Sequence, residues 1–150
     1  PLTYARAFAS LGAKVTVFDL PEVVEYMSAF LTGAEKIEMV AGDFNDWLPP
    51  GPFSHIFMGN ICHIYGENEN RELFKKAARS LQPGGTIAIV DCIRGTNATA
   101  AVFGVNMLVY TTNGGTWTFD QYSEWLKDAG FCGLRLDSAG VKQVLIARKK

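Results

Sequence analysis

The chain has 150 residues, 48% of them apolar and 12% aromatic, enough to bury the core of one domain and too apolar for a disordered segment. Its 14 basic and 15 acidic residues leave a formal charge of −1, without the basic footprint of a nucleic-acid binder or of a protein drawn to an anionic membrane. Apolar runs such as residues 87–90 fall far short of the roughly 20 residues a bilayer span needs, and nothing reads as a signal peptide. Cys62, Cys92 and Cys132 lie far apart in apolar runs, which fits buried reduced thiols better than a disulfide frame. With two distant histidines they offer no metal-ligand spacing, and a cytoplasmic protein is expected.

Tyr4, Ala5, Phe8 and Leu11 recur at helical spacing up to a stop at Gly12, and a strand follows at once over residues 15–18. Helix, turn and strand make the second half of a βαβ unit, so a further strand and its loop are expected upstream of Pro1. Pro21 suits the first turn of a second helix, whose apolar stripe is Val23, Val24, Met27, Phe30 and Leu31. A strand over residues 37–41, a loop over 42–52 and a strand over 54–58 come next. Gly66 opens a helix with an apolar face of Leu73, Phe74, Ala77, Ala78 and Leu81, ended by Pro83-Gly84-Gly85. Residues 86–92 read as a buried strand, 94–101 as a small polar stretch and 102–112 as a helix. Thr118 and Gln121 have capping-box spacing ahead of a helix with Phe119, Tyr122, Leu126 and Ala129 on one face, closed by Gly130. Two strands then follow each other, 131–137 and 143–148, as an antiparallel hairpin. The expected architecture is one α/β domain over 1–150, Rossmann-like and mostly parallel, with that hairpin at its end.

In open α/β sheets, ligands collect at the carboxyl ends of the strands. There the sequence offers Asp19, able to accept from ribose hydroxyls or simply to cap the helix at Pro21. Next come Asp43 and Phe44, suited to an adenine amine and ring, or else a polar turn with one core aromatic. After Gly59-Asn60 comes His63, placed as a general base or as a half-buried histidine satisfied by a carbonyl. Asp91 ends the next strand, where it orients His63 or caps a loop. His55, at the opposite edge, is given no role.

Val17-Phe18-Asp19-Leu20-Pro21, Gly42-Asp43-Phe44, Ile61-Cys62-His63, Leu81-Gln82-Pro83-Gly84-Gly85 and Ala129-Gly130-Phe131 together resemble the class I S-adenosylmethionine (SAM)-dependent methyltransferases. More narrowly, the chain resembles the caffeate- and hydroxyindole-type small-molecule O-methyltransferases over essentially its whole length. The resemblance implies SAM as cofactor, bound by Asp19, Leu20, Asp43 and Phe44, with Gly59 and Asn60 at the same edge. It implies His63 as the base that deprotonates an acceptor hydroxyl, phenolic above all, and Asp91 as its assistant. Met107 and Asn113 fall in a segment that lines the acceptor pocket, although Met107 serves equally well as core. It further implies a glycine-rich loop and strand just before Pro1, and an N-terminal dimerisation domain that makes the full-length protein a homodimer. Plant relatives carry Lys and Trp in place of Gly59-Asn60 and a second carboxylate near Gly115-Thr116-Trp117, where this chain has none. C- or N-methyl transfer on the same scaffold, or a silent cofactor-binding homologue with a regulatory role, are the other readings. A nicotinamide-dependent dehydrogenase is disfavoured by the Gly42-Asp43-Phe44 and His63 pattern.

Overall fold

A computed structural model describes residues 2–140 and 142–150, which form two compact units divided between Pro49 and Pro50. The first unit runs α1 (Leu2–Ser10), β1 (Val15–Asp19), α2 (Pro21–Ser28) and β2 (Ile37–Ala41). Here β1 and β2 pair in parallel, Val15 opposite Ile37 and Asp19 opposite Ala41. Leu2 and Ala5 are the buried positions of α1, while Tyr4, Phe8 and Leu11 of the expected stripe are exposed. Pro21 sits at the start of α2 as expected. That helix stops at Ser28, so Phe30 and Leu31 lie beyond it, and Phe30 is exposed.

The second unit holds β3 (Phe53–Gly59), a single 3-10 turn over Cys62–Ile64, α3 (Glu67–Ser80), β4 (Leu81–Asp91), α4 (Ala98–Tyr110), α5 (Phe119–Asp128), β5 (Phe131–Ala139) and β6 (Lys142–Lys149). The sheet order is β3-β4-β6-β5. Strands β3 and β4 are parallel, and β6 lies antiparallel between β4 and β5, so the hairpin folds its second strand back onto the parallel pair. Its core is Phe74, Ile87, Ile89, Tyr122, Trp125, Leu126, Phe131 and Leu145, from the inner faces of α3, α5 and the sheet, with Ile93 of the loop after β4. The capping box of α5 forms as the spacing predicts, with Thr118 and Gln121 each bonding the other's backbone.

Three expectations are corrected. The third helix ends at Ser80, and Leu81 already pairs with Phe53; register resumes only at His55 opposite Thr86, so residues 82–85 bulge out with Gly84 at φ 72°. The fourth helix begins at Ala98, four residues before its expected start, because the Asn97 side chain accepts from the Ala100 N–H at 2.8 Å and caps it. Of the three free cysteines only Cys62 is buried; Cys92 and Cys132 are half-buried.

Candidate active site

Each parallel pair brings two of the predicted strand ends together: Asp19 and Asp43 follow β1 and β2 in the first unit, His63 and Asp91 follow β3 and β4 in the second.

In the first unit the Gly42 N–H donates to the Asp19 carbonyl at 3.0 Å, which ties the two loop starts together. The Asp19 carboxylate accepts only from its neighbour Leu20 N–H, at 2.9 Å, among the described residues. The N-cap of α2 is Leu20, with no side-chain cap bond, so Asp19 does not cap that helix. Asp43 accepts the Asn45 N–H at 2.8 Å in an Asx turn. Each carboxylate thus leaves one oxygen without a partner among the described residues, beside an exposed Leu20 and a half-buried Phe44. At the end of β3, Asn60 adopts φ 60°, a left-handed turn that asparagine tolerates, and its side-chain oxygen accepts from Lys142.

In the second unit Asp91 is 1% exposed and receives four donors. Its Oδ1 accepts from His63 Nδ1 at 2.7 Å and from the Cys92 N–H at 2.7 Å. Its Oδ2 accepts from the His63 N–H at 3.1 Å and from the Tyr122 hydroxyl at 3.3 Å. A carboxylate can only accept, so it fixes the imidazole proton on Nδ1 and leaves the lone pair on Nε2. His63 is itself 8% exposed, and Phe103 of α4 meets its ring edge-on at 4.9 Å between centroids.

The turn that carries His63 is held from three directions. Buried Asn70 donates its amide to the carbonyls of Cys62, Tyr65 and Gly66, at 2.9, 3.0 and 2.9 Å. The Trp117 indole N–H reaches the Cys62 carbonyl at 3.2 Å, and the Gly115 N–H donates to the His63 carbonyl at 2.9 Å. Gly114 packs so closely that a Cβ there would meet the carbonyl oxygens of His63 and Ile64. Burial, and next the charge of Asp91, push the Cys62 thiol well above its ordinary range; burial also raises the Tyr122 phenol, which therefore stays a donor.

Met107 is buried on α4, and Asn113 is exposed with its amide on Glu69. Sequence reasoning placed Tyr122 on a core face and Trp117 in a segment lacking a carboxylate, and it passed over Asn70 and Phe103. A parallel bridge between Thr118 and Arg94, just past β4, brings α5 beside the strand end and makes Tyr122 a neighbour of Asp91; no local spacing announces it. An open depression lined by Phe119, Ser123, Lys127, Phe131 and Lys150 contains none of the predicted site residues. No helix is long and apolar enough to cross a membrane among the described residues.

The family model described as an O-methyltransferase domain matches residues 4–132. The chain is 29% identical to the tetracenomycin polyketide synthesis 8-O-methyl transferase of Streptomyces glaucescens, over 91% of this chain and 42% of that protein. It is 34% identical to the 3-hydroxy-5-methyl-1-naphthoate 3-O-methyltransferase of Streptomyces sahachiroi, over 80% of this chain and 36% of that one. The chain thus spans about two fifths of the length of these relatives. Among solved structures, human N-acetylserotonin methyltransferase in complex with SAM superposes with a TM-score of 0.82 at 28% identity, over 92% of this chain and 41% of that one. The mixed sheet with its C-terminal hairpin is accordingly the Rossmann-like methyltransferase fold. With 129 of its residues inside the family match, the chain belongs to the O-methyltransferase domain family.

Proposed function

We propose that the protein carrying this chain transfers a methyl group from SAM to a hydroxyl, phenolic by preference, of a small molecule, with residues 1–150 acting as one SAM-binding catalytic domain. The observation that carries this reading is the His63–Asp91 pair, 2.7 Å between Nδ1 and Oδ1 with the carboxylate sealed from water. It draws support from family membership and from relatives whose names describe O-methylation.

The residues present fit the cofactor. The open oxygen of Asp19 suits a ribose hydroxyl, that of Asp43 an adenine amine, and Leu20 and Phe44 offer apolar cover to the ring. Gly59 and Asn60, at the end of β3, are the further cofactor contacts we propose. When bound, SAM supplies a sulfonium methyl that needs no further activation. What remains for the chain is to align the acceptor and take one proton. His63 Nε2 accepts that proton, and Asp91 stabilises the imidazolium that forms. A phenol, with a pKa near 10, lies within reach of such a base, whereas an aliphatic alcohol does not. Met107 and Asn113 are the acceptor contacts we assign to the neighbouring segment. A homodimer in the cytoplasm completes the proposal.

One observation favours a second reading. Asp91 is the only carboxylate bonded to His63 among the described residues, and a neutral nitrogen acceptor needs less help from a base. Turnover of the full-length protein with SAM on a panel of phenols and amines separates the two. In the first reading His63→Gln lowers kcat on phenols about a hundredfold or more, with SAM affinity intact. Unchanged turnover removes His63 as the base. Transfer to amines alone moves the reaction to nitrogen, and no transfer to either class leaves a silent cofactor-binding homologue.

A further inference from the structure

We infer that Tyr122 is a positioning residue for the base: its hydroxyl holds the carboxylate of Asp91 in the plane that aims His63. The inference rests on the proposed role of His63, but its geometry stands apart from it. Oδ1 of Asp91 is occupied by the imidazole and by the Cys92 N–H. Oδ2 meets the backbone N–H of His63 and, among the described residues, one side chain only, Tyr122, whose hydroxyl lies 3.3 Å away. The phenol is 1% exposed and belongs to α5, 31 residues along the chain, so it is anchored independently of the strand and turn it touches. Its ring is wedged between Phe74 and Trp125, with centroids 6.2 and 5.7 Å away, which leaves the hydroxyl little freedom to swing off. A buried tyrosine that served packing alone would do as well as phenylalanine. Here its hydroxyl is spent on the one carboxylate that orients the base.

The buried Cys62 thiol, immediately before His63, and the Tyr122 phenol influence each other's proton affinity. Donation to Asp91 draws charge out of the carboxylate and weakens its hold on a protonated imidazole. The titratable groups facing this pair are Cys62 on the His63 turn, Cys92 beside Asp91 on β4, Tyr122 on α5, and Lys142 on β6, whose charge reaches Cys92. Helix α4 contributes the uncharged Phe103.

The test follows the His63 imidazole by NMR across pH in the full-length protein, with the signal assigned by His63→Gln, beside the pH profile of kcat. In Tyr122→Phe the His63 titration midpoint moves up by about half a pH unit, the acid limb of kcat follows it, and kcat at the plateau falls about three- to tenfold with KM for SAM unchanged. A midpoint that stays in place, with a lowered melting temperature alone, makes Tyr122 a packing residue and overturns the inference. Site-specific 3-fluorotyrosine at position 122 carries the test should Tyr122→Phe not fold. Its more acidic hydroxyl donates more strongly to Asp91, so the midpoint moves down, and a midpoint that is fixed or raised overturns the inference. If His63→Gln leaves turnover intact while the Tyr122→Phe midpoint still shifts, the base assignment fails and the positioning contact stands.

Discussion

At the scale of single residues, the site is a matter of which hydrogen-bonding capacity is already spent. Asp91 spends both oxygens inside the fold, whereas Asp19 and Asp43 each spend one and keep one. That difference separates a carboxylate that orients a neighbour from carboxylates that can meet a ligand. Cys62 illustrates the cost of the same burial. In the unfolded chain its thiol loses its proton near the ordinary value of 9.0, while in the native state burial and Asp91 hold the proton to far higher pH. Above about pH 9 the native state thus binds more protons than the unfolded one, and stability falls as pH rises. Tyr122 adds to the fall above its ordinary 10.0 for the same reason. Denaturant midpoints should drop between about pH 8 and pH 10.5, and Cys62→Ala should flatten the first part of that drop. In the native protein at pH 8 the Cys62 thiol should resist alkylation that the unfolded chain undergoes readily.

Among elements, the short segments matter more than the long ones. The 3-10 turn that carries His63 has three residues and no side-chain cap, so its placement comes from outside: Asn70, Trp117 and Gly115 supply it. Gly114 is where this arrangement is least forgiving. A Cβ there would meet the backbone carbonyls of His63 and Ile64 as well as the Thr111 hydroxyl, and two of the three cannot rotate away. Gly114→Ala should displace the turn and lower kcat about tenfold or more, with SAM affinity unchanged as measured by calorimetry. Much of this level was legible in the sequence. Strand ends within one residue of Asp19, Gly59 and Asp91 and the capping box at Thr118 followed from alternation, punctuation and spacing. The early start of α4 did not, because Asn97 caps it without an acidic or amide partner at the third position, and the helix is apolar on nearly every side, which erases the period a reader looks for. The Asp19 alternatives were equally closed to the sequence. Whether a carboxylate next to a helix start caps it or stays open depends on a side-chain torsion, and only the geometry decides it.

For the whole molecule, the alternation of helices and strands was readable, whereas the strand order was not. That β6 rather than β5 lies against β4 depends on which face of the hairpin matches the core, a choice settled by packing between residues more than 50 positions apart. The contact of Tyr122 with Asp91 was out of reach for the same reason. Helix α4 also belongs to this scale. Its 13 residues include no charged side chain, and Val102, Val105, Leu108, Val109 and Tyr110 are each 62–77% exposed. Water already hydrates those groups in the native state, so unfolding has less new apolar surface to uncover. The heat capacity increment of unfolding should therefore fall below the usual 12–15 cal/mol/K per residue, roughly, and scanning calorimetry on this chain would read it directly. A small increment flattens the dependence of stability on temperature: the domain would lose little on cooling, and its resistance to cold would come from the very face that it leaves in water.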